Sequence, residues 1–207
     1  MPKNMLQARH HFPWKKEHEN LRKRNQKMKN VLMIDLETTG TKPGCRVLTL
    51  GAFGFNKDGE QCEFYVRMNP LKMPDGTFHD DSSTMEWWNS QAPEAYAEAF
   101  EGKADPKDAL AEFKMFFLKN FDTASRTNKF EVWSCGIDFD FPILLEFMEK
   151  FGYKGLWKFW QQYDYRTIKN CFPGIKMFEQ NGAKHTALED AKAQMRGLRA
   201  FKNREYA

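Results

Sequence analysis

The sequence predicts an α/β domain with a mixed five-stranded sheet: a three-strand antiparallel meander, further strands added in parallel, and helices on both faces. Three observations carry this. Residues 31–68 hold three extended runs joined by short turns, as hairpins require. From residue 105 onward, helical and extended patterns alternate, the arrangement that crossover connections give. The first run, Val31-Leu32-Met33-Ile34, is continuously apolar, as in a strand buried on both faces.

That first strand runs into Asp35-Leu36-Glu37 and ends in Thr38-Thr39-Gly40. Arg46 to Phe55 reads as the second strand. Asn56-Lys57-Asp58-Gly59 is a turn with an Asp-Gly signal, and Gln61 to Met68 alternates as the third strand. Asn69 to about Thr84 is a polar stretch with two prolines and three Asp. A loop of that length in a compact domain is expected to be functional or mobile. Met85 to Phe100 reads as helical around Trp87-Trp88, with Pro93 opening a fresh turn. A second helix has Asp105 as cap and Pro106 at its first position, with Leu110, Phe113, Phe117 and Phe121 on one face. Phe130 to Cys135 is the fourth strand, leading through Gly136-Ile137-Asp138-Phe139-Asp140 into a helix from Phe141 to Phe151. A short strand at Lys158 to Tyr163, a helix from Arg166 and a last helix from Thr186 complete the pattern.

At 207 residues, 41% hydrophobic with 19 Phe, the chain is long and apolar enough for one domain with a sizeable core. Its longest nearly apolar run, Val47 to Phe55, is too short to cross a bilayer. The basic N-terminus is not followed by an apolar segment, so no secretory signal is expected. Cys45, Cys62, Cys135 and Cys171 are scattered without a C-x-x-C pair. Reduced thiols in a cytoplasm are the expected account.

The net charge of +4 is uneven, with residues 1–29 at +7 and the remainder at −3. A basic arm at residues 1–29 ahead of a domain at 30–207 suits a polyanionic partner, although a solubilising terminus has the same composition. Only Leu21 and Met28 share an apolar helical face in the arm, so weak packing onto the domain is expected.

Side chains alternate along a strand, so Asp35 and Glu37 point the same way. Two like charges side by side at a buried strand end demand a cation between them or a proton on one. Further acids should therefore converge there. Asp138 and Asp140 enter from the loop after the fourth strand, and an ordinary helix cap is the competing role for Asp140. His185-Thr186-Ala187-Leu188-Glu189-Asp190 supplies the last. Thr-x-x-Glu is a capping box that makes Thr186 the cap, so His185 and Asp190 take the two positions that approach each other in a hydrophobic staple.

D-x-E in a first strand, Phe-Asp leading into a helix, and H-x-x-x-x-D opening a last helix resemble the DEDDh 3′→5′ exonucleases, with matching segments over residues 31–195. The resemblance is closest to the exonuclease VIII-like and phage exonuclease A-like group. Its signatures resemble Thr84-Met85-Glu86-Trp87-Trp88-Asn89-Ser90-Gln91 with Glu94-Ala95, Val132-Trp133 ahead of Phe139-Asp140, and Asp164-Tyr165-Arg166-Thr167. It implies a ribonuclease H-like fold. It also implies two divalent cations, Mg²⁺ with Mn²⁺ as a substitute, on Asp35, Glu37, Asp140 and Asp190, with His185 as catalytic base. Asp138 falls where that family varies. Nucleic acid is the implied substrate and partner, with single-stranded DNA favoured through the phage-type match. An exoribonuclease of the same fold and a non-catalytic nucleic-acid-binding protein are the competing readings. Leu36 and Thr38 sit where such enzymes hold a terminal nucleotide, though alternation also makes Leu36 core. Trp87 and Trp88 are either packing residues or base-stacking platforms. Arg166 is placed to meet a phosphate or a neighbouring acid such as Asp164.

Overall fold

The computed structural model describes residues 28–173 and 186–203. Five strands form one sheet in the order β3-β2-β1-β4-β5: β1 (Val31–Thr38), β2 (Val47–Phe55), β3 (Gln61–Arg67), β4 (Glu131–Ser134) and β5 (Gln162–Asp164). β1, β2 and β3 pair antiparallel as a meander, whereas β4 lies parallel to β1 and β5 parallel to β4. The expected mixed sheet is therefore present, with β1 at its centre.

Among the described residues six helices flank it: α1 (Ser82–Asn89), α2 (Pro93–Phe100), α3 (Pro106–Asn120), α4 (Asp140–Lys150), α5 (Tyr165–Cys171) and α6 (Ala187–Lys202). Alternation along β1 divides the interior in two. Leu32, Ile34 and Leu36 enter the larger core with Leu110, Phe113 and Phe117 of α3 and Ile143, Leu144 and Phe147 of α4. Val31 and Met33 face the other way, against Ala191, Met195 and Leu198 of α6. Asp35 and Glu37 continue that second face toward the carboxyl end of the strand. Leu36 is thus core. Met28 is fully buried with Val31, Met33 and Phe55, so this end of the arm packs onto the domain more firmly than its sparse pattern suggested. Leu21 lies outside the described residues.

Several boundaries differ from the sequence reading, each for a local reason. The Met85–Phe100 segment is two helices, because Pro93 opens α2 with Ala92 as its cap. The strand expected at Lys158 to Tyr163 begins as a 3-10 turn over Phe159–Gln161 and becomes extended only at Gln162. Asp105 caps α3 as expected, its carboxylate accepting the Lys107 N–H at 2.9 Å. The Thr186 side chain makes no cap hydrogen bond, although Thr186 does occupy the cap position of α6. Glu189 is held instead by Lys192, which also reaches Glu63 on β3.

The long loop after β3 is fastened to the sheet. Buried Arg46 donates from Nε to the Met73 carbonyl at 2.9 Å and pairs with Asp75 and Asp80 through its two terminal nitrogens. The Asp81 N–H donates to Thr39 and the His79 N–H to Gly44. One guanidinium that gathers the Met73 carbonyl and two carboxylates, with these backbone bonds, gives the polar stretch its shape.

Gly51 sets the approach of α6. It stands opposite Asp35 in the β1–β2 register, and a Cβ there would lie 2.2 Å from the Ala187 carbonyl carbon and 2.3 Å from the Leu188 nitrogen. The first turn of α6 rests directly on the sheet backbone because this residue has no side chain.

Candidate active site

Three elements deliver acids to the carboxyl end of β1. Asp35 and Glu37 come from the strand itself. Asp190 comes from the fourth position of α6, which Gly51 admits so close to the sheet. One ligand oxygen from each of the three lies within 4.8 Å of the others. At an effective dielectric of about 20, each such pair of charges repels by roughly 3 kcal/mol. Three ionised carboxylates would therefore cost on the order of the stability of a whole domain, about 5–15 kcal/mol. The cluster must hold protons or cations.

Asp140 approaches from the β4 side. β4 pairs with β1 only as far as Met33, so the later part of β1 is open on that flank. Asp140 fills this place as the first residue of α4, with Phe139 at the cap position. The role of helix cap, open to it from the sequence, is therefore not the one it plays. It is buried, whereas Asp138 is exposed. The Leu36 backbone N–H and the Ser134 hydroxyl face its carboxylate, and Ser134 Oγ, itself buried, finds no bond of ordinary geometry elsewhere.

The titration behaviour follows from this crowding. Burial raises Asp35 well above the usual carboxylate range, reinforced by the charges of Asp140, Glu37 and Asp190 and opposed by a hydrogen bond from Gln194. Burial likewise raises Glu37 to about 8, with Asp190 and then Asp140 adding to it. Asp140 is raised to about 7 by burial, against the pull of Leu36, Ser134 and the Arg166 charge. Carboxyls held this high, in an all-oxygen donor set, match what hard divalent cations require when they displace protons.

Two neighbours were not singled out from sequence. Gln194 donates from Nε2 to Asp35 Oδ1 at 2.7 Å, which fixes the direction of that carboxylate. Its place one turn after Asp190 in α6 was the available signal. Ser134 had none, because its position beside Asp140 depends on where β4 stops. Arg166, by contrast, is clarified. Its guanidinium donates to the Cys135 carbonyl at 2.7 Å, while Asp164 caps α5 by accepting the Arg166 and Thr167 N–H groups. Trp88 is buried and donates from Nε1 to the Thr38 carbonyl at 2.9 Å, bracing the end of β1. Trp87, packed edge-on against it, is 41% exposed. The tryptophan pair thus divides into one packing residue and one at the surface. His185 lies outside the described residues, next to Thr186.

A ribonuclease H-like sheet with an acidic cluster at the carboxyl end of its central strand is the arrangement expected of a 3′–5′ exonuclease. The chain belongs to the 3′–5′ exoribonuclease Rv2179c-like domain family, whose model matches residues 30–201. It is also 28% identical over 160 residues to an exodeoxyribonuclease of Enterobacteria phage T4, covering 65% of this chain and 68% of that one. Among solved structures, E. coli exonuclease I in complex with a dA16 oligonucleotide matches with a TM-score of 0.58 at 16% identity, over 84% of this chain. The chain spans only 41% of that enzyme's length. The nuclease domain of 3′hExo, a DEDDh family member bound to rAMP, matches with a TM-score of 0.52 at 13% identity, covering 85% of this chain and 92% of that domain. No helix among the described residues is long and apolar enough to cross a membrane.

Proposed function

We propose that this chain is a metal-dependent 3′–5′ exonuclease that releases nucleoside 5′-monophosphates from single-stranded DNA. The observation that carries the proposal is the convergence of Asp35, Glu37 and Asp190 within 4.8 Å, with Asp140 buried behind them. Nothing in the packing of a passive binding module would call for mutually repelling carboxyls in one place.

Asp35, Glu37, Asp140 and Asp190 are the residues that would hold a pair of divalent cations, Mg²⁺ with Mn²⁺ as a substitute. Such a pair supplies an activated water and neutralises the charge that gathers on the departing 3′ oxygen. His185 takes the proton of the attacking water, a task its unperturbed pKa of about 6.5 suits near neutral pH. The water oxygen bonds to phosphorus as the bond from phosphorus to the 3′ oxygen of the preceding nucleotide breaks. Gln194 holds Asp35 in place during this exchange, and the Trp88 bond to Thr38 keeps the strand end from shifting.

The choice of DNA is supported by the phage exodeoxyribonuclease relative. RNA is a second reading, favoured by the description of the matching family. The sugar preference rests on contacts with the 2′-hydroxyl. The test follows 5′-labelled DNA and RNA strands of one sequence with Mg²⁺, Mn²⁺ or chelator, beside the Asp35→Ala protein. A ladder that shortens from the 3′ end only with metal, and not in the variant, is expected, faster on DNA. Faster shortening of RNA would transfer the proposal to that substrate. Tight binding without shortening under any metal would replace it with a binding module.

A further inference from the structure

Among the described residues no strand pairs with the outer side of β5, and the features along this edge are those of a nucleic-acid track. At the end of β5 nearest the acids stands exposed Arg166, whose charge reaches Asp140. Midway, Tyr163 is 38% exposed and stacks on Trp133 at 4.9 Å. At the far end, where β4 and β5 begin, a groove of about 370 Å³ opens between the loop before β4 and the turn before β5. Arg126 and Lys129 line it on one side, and Trp160 and Tyr163 on the other. Trp160 is 63% exposed. Large aromatic faces left in water beside cations are poor surface chemistry for a protein alone, but they suit a strand of phosphates carrying stackable bases.

The basic arm enters the fold at the same place. Asn30 donates from Nδ2 to the Asp122 and Asn128 carbonyls at 2.7 and 2.8 Å and accepts the Asp122 N–H at 2.9 Å. Asn30, the first residue after the basic arm, is therefore fixed beside the loop that bears Arg126 and Lys129.

We infer that the β5 edge is a second nucleic-acid contact, which binds the body of a single strand whose 3′ end lies among the acids. The inference rests on the proposed exonuclease reading for the direction of the strand. Along β1, Asp35 and Glu37 stand four and six residues beyond Val31, which pairs with Glu131 at the groove end of β4, about 13–20 Å at the rise of an extended chain. A dinucleotide held at the acids falls short of the groove, and a long strand reaches it.

Binding of a long labelled single strand to the full chain, followed by anisotropy in chelator with increasing salt, tests the track without requiring cleavage. Trp160→Ala is expected to weaken binding about tenfold, the loss of one stacked base. Arg126→Gln with Lys129→Gln is expected to flatten the slope of log affinity against log salt by about 1.4, from two lost phosphate contacts on a single strand. Turnover of a dinucleotide, measured with Mg²⁺, should be unchanged in both variants. Unchanged affinity and slope in both would overturn the track. So would a change of sedimentation in Trp160→Ala, which would make the aromatic patch an interface between protein chains. Absence of dinucleotide cleavage in the unaltered protein would count against the exonuclease reading alone, since the binding arm stands without it.

Discussion

His185→Ala is expected to lower turnover by about 10²–10⁴-fold, the usual contribution of a general base. Affinity for Mn²⁺, measured by calorimetry, should change little. Loss of metal affinity as large as in Asp35→Ala would make His185 a ligand and remove it from the role of base. Glu37 gives the second prediction at this scale. Its carboxyl is raised from 4.5 to about 8 in the folded chain, so between those values the folded state keeps a proton that the unfolded state has released. Stability must then fall as pH rises through that window. In chelator, the Tm should drop from pH 4.5 toward pH 8, and Glu37→Gln should flatten the decline. A Tm that climbs across the same range would mean that the acids are not crowded in solution as they are here. Asp35 and Glu37 were legible as a pair from alternation alone. Gln194 offered only its place one turn after Asp190, and Ser134 offered nothing, because a serine ending a strand carries no signal until its neighbours are known.

At the scale of elements, the contact between α6 and β2 decides whether Asp190 joins the other acids. Gly51→Ala would set a methyl group about 2.2 Å from the Ala187 backbone, and backbone cannot turn aside as a long side chain can. Overpacking of this kind costs about 1–3 kcal/mol, and the first turn of α6 must lift to relieve it. The expected result is a lower Tm together with a larger fall in activity, since Asp190 moves with the turn. Stability lost with full activity retained would show that α6 relaxes without carrying Asp190 away. The strands, the meander and the helix at Pro106 were readable because hydrophobic period and cap residues are local. The Thr186–Glu189 box was readable as a boundary but not as a bond, because Lys192, three residues on in α6, holds Glu189 and ties it to Glu63 on a strand far away in sequence. The fastening of the loop by Arg46 was likewise hidden, since nothing local links an arginine at the start of a strand with acids some thirty residues later.

For the whole molecule, charge is divided between arm and domain, and each part predicts a separate measurement. Removing residues 1–27 should leave dinucleotide turnover intact while flattening the salt dependence of binding to a long strand. The change should be about 0.7 in slope for each arm cation that meets a phosphate. An unchanged slope would return the arm to the role of a solubilising terminus. Saturating Mg²⁺ should raise the Tm more at pH 8 than at pH 5, because cations compete with the protons that the acids hold at the lower value. An equal shift at both would separate metal binding from the raised carboxyls.

The sequence by itself determined the order of the elements, the shared face of Asp35 and Glu37, and the need for further acids to meet them. These follow from periodicity, caps and the repulsion of like charges, which act over a few residues. Tertiary structure alone decided how the acids meet. β4 ends early enough to leave room for Asp140 beside Leu36, and Gly51 lets the α6 backbone close onto the sheet so that Asp190 comes within reach of Asp35 and Glu37. It also laid Arg126, Lys129, Trp160 and Tyr163 along one edge. Such meetings depend on distances between segments far apart in the chain, and those distances exist only once the sheet has formed.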